Sequence, residues 1–269
     1  MVSVPLSRTH LPLRSRAFYR RVLDELTQAK IPFLVGGAFA LEHYTGIWRF
    51  TKDLDIFMRR RHIQPVLKLL GRAGFQVELT FPHWLAKVYE RNDFVDVIFS
   101  SGNGVATVDD DWFTHAKTGN ILGASRKICP VEEMIWSKAF VMERERYDGA
   151  DVAHLILAQG QKLNWARVLK RFGPHWEVLL SHLVLFGFIY PGLRKQVPDW
   201  IIQKLVQKLL AVRKKPPSAN HSFKGTLLSR EQYLIDLDLW GYPDARLKPN
   251  GFMSSRDVAL WTEAIGKDS

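Results

Sequence analysis

Asp53-Leu54-Asp55-Ile56-Phe57-Met58 reads as a strand in which two carboxylates share a face. Side chains alternate along a strand, so Asp53 and Asp55 point one way while Leu54 points into the core. Upstream, Ile31 to Val35 is a short apolar strand that Gly36-Gly37 breaks. Downstream, Val95-Asp96-Val97-Ile98-Phe99 sets a third acid in a nearly all-apolar, and therefore central, strand. Three carboxylates brought together repel one another, by about 4 kcal/mol per pair at ~4 Å with an effective dielectric of about 20. Such a cluster is tolerable mainly around a divalent cation. Oxygen-only ligands suit Mg²⁺ or Mn²⁺, and Mg²⁺ held by carboxylates is usually completed by substrate phosphates. The chemistry indicated is phosphoryl or nucleotidyl transfer.

Around that core the pattern predicts a helix from Ser15, as its cap, to Lys30, with Phe18, Val22, Leu23 and Leu26 inward. A short helix spans Ala38 to Tyr44 and stops near Thr45-Gly46, and an amphipathic one runs from Ile63 to Ala73. Phe75 to Leu79, Leu85 to Arg91 and Phe94 to Phe99 read as strands, and Val105 to Ala124 as irregular or mixed. Pro130 opens a helix through about Glu145, and helical pattern continues to Leu210 with breaks at Gly173-Pro174 and Pro191-Gly192. A last long helix covers Asp199 to Val212, Lys214 to Ser222 reads as a linker, and Ser229 to Trp240 as one more helix with Ser229 and Gln232 at capping-box spacing. The expected fold class is α/β (α+β), a mixed sheet with flanking helices followed by a helical domain. Its expected divisions are 1–127, 128–212 and a C-terminal appendage, 213–269, folded back through Leu227, Tyr233, Leu234 and Trp240.

Composition sets bounds. The 269 residues include nine Trp and sixteen Phe, ample for a core. The single Cys129 excludes an intramolecular disulfide and any multi-cysteine zinc site, and fits a reducing compartment. Met1 to Leu13 has no continuous apolar run for a signal peptide, and Val178 to Tyr190 is too short to span a bilayer, so a cytoplasmic protein without a membrane partner is expected. A net charge of +11 favours polyanionic partners, nucleotides and RNA among them.

Gly36-Gly37-Ala38-Phe39-Ala40-Leu41, then Thr45-Gly46, Arg49, Thr51 and Asp53-Leu54-Asp55, resembles the minimal nucleotidyltransferase signature. More narrowly it is similar to the abortive-infection (AbiEii-type) toxin branch, in which an Arg-x-Ser/Thr-x-Asp-x-Asp run follows a double glycine and a short helix. Here the run is Arg49-Phe50-Thr51-Lys52-Asp53-Leu54-Asp55. The resemblance spans roughly residues 33–156 and implies a DNA polymerase β-like nucleotidyltransferase fold that uses NTP, ATP included, and Mg²⁺ (or Mn²⁺). It implies catalytic and metal-binding roles for Asp53, Asp55 and Asp96. It also implies nucleotide contacts from Gly36, Gly37, Arg49, Thr51, Lys138, Asp148 and Asp151. Glycines there let the backbone and a helix N-terminus approach the triphosphate; an ordinary strand-to-helix turn is the plainer alternative. Lys138 would hold triphosphate oxygens as a compact charge. Asp148 would orient the Lys or the base, with Asp148 and Asp151 an i, i+3 pair. A solvated helix face with local ion pairs is the alternative for these three. Two metals ~4 Å apart would clamp an in-line displacement.

A second Asp-Leu-Asp, Asp236-Leu237-Asp238, falls in a predicted helix, where i and i+2 diverge by ~200°, and reads as surface. The histidines show no metal-ligand spacing. Ser125-Arg126-Lys127 and Arg213-Lys214-Lys215 could touch an acceptor RNA or be solvated loops. The functional expectation is NMP transfer from an NTP to an acceptor hydroxyl, with a tRNA or RNA 3′ end favoured. A protein side chain or a small molecule stays open as acceptor, as do a toxin role and an antitoxin partner. The alternatives are a nucleotide- or RNA-binding module that lost turnover, and a glycosyltransferase whose Asp-x-Asp holds a sugar nucleotide.

Overall fold

A computed structural model describes residues 11–49, 51–214 and 223–265. Phe50, Lys215, most of the expected linker and His221 fall outside them. The chain divides into two compact units, one running to Gly102 and resuming over Thr107–Pro130, the other formed by Asn103–Ala106 and everything from Val131.

In the first unit, helices α1 (Leu13–Gln28), α2 (Gly37–Thr45), α3 (Ile63–Arg72) and α4 (Asp110–Thr114) accompany seven strands. These are β1 (Leu34–Val35), β2 (Asp53–Phe57), β3 (Gln76–Phe81), β4 (Leu85–Glu90), β5 (Asp93–Ile98), β6 (Lys117–Ile121) and β7 (Ala124–Ile128). They form one mixed sheet in the order β3-β4-β5-β2-β1-β7-β6, with β2 parallel to β5 and β1 parallel to β7. The α/β expectation holds, and β5 is an interior strand as its apolar run predicts.

Alternation sorts the sheet into two faces. Leu54, Ile56, Ala86, Val88, Val95 and Val97 are fully buried. On that side α1 and α3 pack on each other and on β3, β4 and β5, with Phe18, Val22, Leu23 and Leu26 of α1 buried as the periodicity predicts. The opposite face carries Asp53, Asp55 and Asp96, only half-buried.

Several sequence expectations are corrected. Pro12, not Ser15, occupies the cap position of α1; Ser15 lies inside the helix and donates to Asp93 (2.6 Å). β1 keeps only two residues of the expected strand. The stretch read as irregular or mixed, Val105 to Ala124, holds β6 and the turn into β7, made by Leu122 and Gly123 at φ 52° and 89°, as a two-residue hairpin requires. Ser125-Arg126-Lys127 is therefore strand; Arg126 is buried and bonds Asp24 and Thr27 of α1.

The second unit is helical: α5 (Val131–Lys138), α6 (Gly149–Gln159), α7 (Trp165–Phe172), α8 (Trp176–Ile189), α9 (Asp199–Arg213), α10 (Leu234–Asp238) and α11 (Ser255–Glu263). Glu133 of α5, fully buried, takes Arg167 and Arg171 of α7 as partners, the latter at 2.8 Å. The helix expected to reach Glu145 ends at Lys138, and the chain folds back so that Asp148 N–H donates to Val141 O (3.1 Å). The helix expected over Ser229–Trp240 shrinks to α10. Ser229 donates to Glu143 and accepts from Gln232 N–H (3.0 Å), so the cap forms on a turn. Leu227 packs inward as expected, but Trp240 is 65% exposed. Residues 223–265 belong to this unit, tied by Asn103 to Leu227 O (2.6 Å). The helical stretch Trp165–Ile189 is long and apolar enough to cross a membrane by composition alone. A left-handed Gly173 (φ 47°) interrupts it, and Arg167 and Arg171 in its first part are spent on the buried Glu133.

His182 of α8 is buried and donates from Nε2 to Ala139 O (2.8 Å). Burial lowers its affinity for a second proton below the ordinary 6.5, with the carbonyl bond acting in the opposite direction. Below pH 6.5 the unfolded chain takes up a proton that the folded chain refuses, so stability falls as pH drops through that window, by at most about 1.4 kcal/mol per pH unit for one group. His175, lowered by burial and by Lys224, adds in the same direction. Urea unfolding at pH 7.5, 6.5 and 5.5 is expected to show this slope in the wild type and a shallower one in His182→Gln. Identical slopes would remove His182 as its source.

Candidate active site

Parallel pairing of β2 and β5 sets Asp55 directly opposite Asp96 and Asp53 opposite Phe94. Cα partners in register project to the same face, so all three acids converge, and one carboxylate oxygen from each lies within 4.8 Å of the others. Three hard oxygen donors at this spacing fit a Mg²⁺- or Mn²⁺-class cation. Asp236 and Asp238, with the same letters, sit on the five-residue α10 and belong to no such group among the described residues.

The double glycine shapes the cluster from above. Gly36 N–H donates to Asp55 O (2.9 Å), placing the start of α2 over β2. Gly37 has φ 51°, and a Cβ there would fall 1.8 Å from Asp55 Oδ2. The Asp55 carboxylate thus rests on the glycine that opens α2, where the positive end of the helix dipole favours an anion. A Cβ on Gly36 would strike the Phe57 ring at 2.2 Å. Both glycines are required by close approach.

Thr51 donates its hydroxyl to the Asp53 carboxylate, so its observed part is to orient that acid. Arg49 is exposed in the loop before β2. Tyr19 of α1 donates to Lys52 O (3.2 Å). Burial, followed by the fields of Asp93, Asp53, Asp55 and Asp96, holds its phenol well above the ordinary value and keeps it protonated.

In the second unit the structure joins Lys138, Asp148 and Asp151. Lys138 Nζ lies 2.9 Å from Asp148 and 2.8 Å from Asp151, and Arg146 adds bonds of 3.2 Å to Asp148. Burial pulls the Lys138 ammonium down, but the two acids outweigh it and hold it above the ordinary lysine range. Burial likewise pushes Asp148 up, and Lys138 and Arg146 hold it below the usual carboxylate range. Asp148 precedes α6 as its cap residue, so the pair with Asp151 brackets the helix start.

Sequence reading missed Lys87. It stands opposite Asp96 on β4, its Nζ 3.2 Å from Asp96 Oδ1. Alternation along Leu85–Glu90 assigns Lys87 a face, but only the register supplies its partner.

No protein-family model and no curated protein matches the sequence. Among solved structures, the chain is similar to the antibiotic-resistance factor ANT(2'')-Ia, at 15% identity and TM-score 0.45 over 64% of this chain and 98% of that one. It is similar to the lincosamide antibiotic adenylyltransferase LnuA, at 18% identity and TM-score 0.39 over 54% of this chain and 96% of that one. It is also similar to an antigenic nucleotidyltransferase-like protein from Paracoccidioides brasiliensis, at 16% identity and TM-score 0.37 over 66% and 94%.

Proposed function

We propose that this chain is a divalent-metal-dependent nucleotidyltransferase that moves NMP from an NTP to an acceptor hydroxyl. The observation that carries the reading is the register pairing of Asp55 with Asp96, with Asp53 on the same face and the start of α2 pressed onto Asp55. A divalent cation held by Asp53, Asp55 and Asp96 would neutralise phosphate charge and polarise the reacting oxygens. Thr51 fixes the orientation of Asp53. The Gly36-Gly37 turn admits the triphosphate close to the backbone at the start of α2. Asp96, on the strand beside Asp55, takes the proton of the acceptor hydroxyl. That oxygen bonds to the α-phosphorus, the bond to the β-phosphate oxygen breaks, and pyrophosphate leaves. Arg49, exposed in the loop before β2, would contact phosphate as the resemblance implies. Lys138 would have to exchange an acid partner for phosphate before serving the nucleotide as the family pattern suggests.

The acceptor we favour is an RNA 3′ hydroxyl, on the strength of the +11 net charge. The test incubates the full chain and Asp53→Ala/Asp55→Ala with each labelled NTP, Mg²⁺, and separate RNA, protein and small-molecule fractions of a lysate. Wild type is expected to label RNA, and the variant and chelator controls to leave it unlabelled. Label in another fraction reassigns the acceptor. Equal label from both proteins, or NTP binding without pyrophosphate release in any fraction, overturns the enzymatic reading.

A further inference from the structure

The polar face of the sheet aligns four charged residues in one row: Glu78 of β3 opposite Lys87 of β4, Lys87 opposite Asp96 of β5, and Asp96 opposite Asp55 of β2. The signs run minus, plus, minus, minus. Lys87 Nζ lies 3.2 Å from Asp96 Oδ1 and 4.2 Å from the centre of the Phe94 ring, and the Lys87 and Asp96 side chains are only 21% and 14% exposed. Phe94 is the residue opposite Asp53. The ammonium is therefore held beside the carboxylate cluster by an acid on one side and an aromatic face on the other, a geometry that attracts cations.

We propose that Lys87 is the resident counter-ion of the carboxylate cluster, and that a divalent cation reaches Asp96 only by displacing it. The proposal rests on the metal-binding reading above. An ammonium and a metal ion compete for the same carboxylate oxygens and repel each other through the short gap between them. Lys87 thus offsets part of the charge of three neighbouring acids in the metal-free protein, and lowers the affinity of the bare site for metal. Glu78, next in the row, stands where the displaced ammonium meets a second carboxylate. Metal loading then depends on added negative charge, which the phosphates of an incoming nucleotide supply.

The test is Mn²⁺ titration of the metal-stripped full chain, read by the electron paramagnetic resonance of free Mn²⁺, with thermal melts in chelator alongside. Lys87→Met is expected to bind Mn²⁺ roughly tenfold more tightly than wild type, since removing a neighbouring like charge favours the cation. Its melting temperature in chelator should fall below that of wild type and recover with Mn²⁺. Phe94→Leu, which keeps the lysine but removes its aromatic face, should shift affinity the same way by less, and it answers the question if Lys87→Met does not fold. Unchanged or weaker Mn²⁺ affinity in these variants, while wild type still binds more than Asp53→Ala/Asp55→Ala, overturns the role of Lys87 alone. No binding above Asp53→Ala/Asp55→Ala in any protein overturns the metal site and this proposal together.

Discussion

Gly37→Ala is expected to destabilise the first unit by about 2–5 kcal/mol, combining a left-handed alanine with an overpacked contact. It is also expected to lower Mn²⁺ binding and NMP transfer by at least about 100-fold, or ~2.7 kcal/mol. The new methyl would lie 1.8 Å from Asp55 Oδ2 and 2.8 Å from its carboxyl carbon, at a φ of 51°. Neither partner yields easily. Gly36 N–H is bonded to Asp55 O at 2.9 Å, and Ala40 N–H to Gly36 O at 3.0 Å, so turn and strand are laced together. The Asp55 side chain must rotate away, which empties one corner of the carboxylate cluster. Gly46→Ala is the control: its φ is 73°, but nothing lies within 4 Å of the added carbon. It should cost only the conformational term, about 1–2 kcal/mol, and leave metal binding unchanged. Denaturant melts and Mn²⁺ titrations of both variants decide the matter. Gly37→Ala with wild-type affinity would separate Asp55 from the metal site.

Lys138→Met is expected to destabilise the second unit by about 3–5 kcal/mol, because it strands a buried ion pair rather than removing it whole. Asp148 would keep Arg146, whereas Asp151 would lose the ammonium 2.8 Å away. Lys138→Met/Asp151→Asn, which also removes that charge, should recover part of the loss. Acid should narrow the gap between Lys138→Met and wild type. Asp148 is held below the usual carboxylate range in the folded chain, so its contribution is present above the unfolded value of about 3.9 and disappears as pH falls through the folded one. Urea unfolding at pH 7 and pH 3 measures both effects. A loss below about 1 kcal/mol at pH 7 would mark the cluster as a solvated surface network instead.

The carboxylate cluster was legible because its signals are local. Alternation placed Asp53 and Asp55 together, and the apolar run around Asp96 marked an interior strand. The glycines marked the turn, though not its reason, since the carboxylate and ring that exclude a Cβ at Gly37 and Gly36 belong to β2. What was illegible depended on partners distant in sequence. The β6–β7 hairpin is polar, Lys117-Thr118-Gly119-Asn120-Ile121 followed by Ala124-Ser125-Arg126-Lys127-Ile128, and its short edge pairing leaves no alternation strong enough to read. The helical pattern after Pro130 runs on past Lys138, but the folded chain breaks there to close Lys138 onto Asp148 and Asp151. Ser229 carries a genuine cap signal, yet its hydroxyl is also engaged by Glu143, and the turn it caps does not continue as helix. Lys87 is invisible without register, because nothing in Leu85–Glu90 announces which strand lies beside it.

The parallel pairing of β2 with β5 also dictates when the three acids can meet. Asp53 and Asp55 are neighbours from the moment they are synthesised, but α3, β3 and β4 intervene before Asp96. A parallel partner cannot be reached by a tight turn, and closing such a loop costs entropy before any pairing repays it. β5 is hydrogen-bonded to β4 as well as to β2, so β3 and β4 lie within the loop that the pairing of Asp96 with Asp55 closes. The three-acid cluster therefore needs the chain through β5, and a growing chain that ends before β5 carries the Asp-x-Asp pair without the third carboxylate.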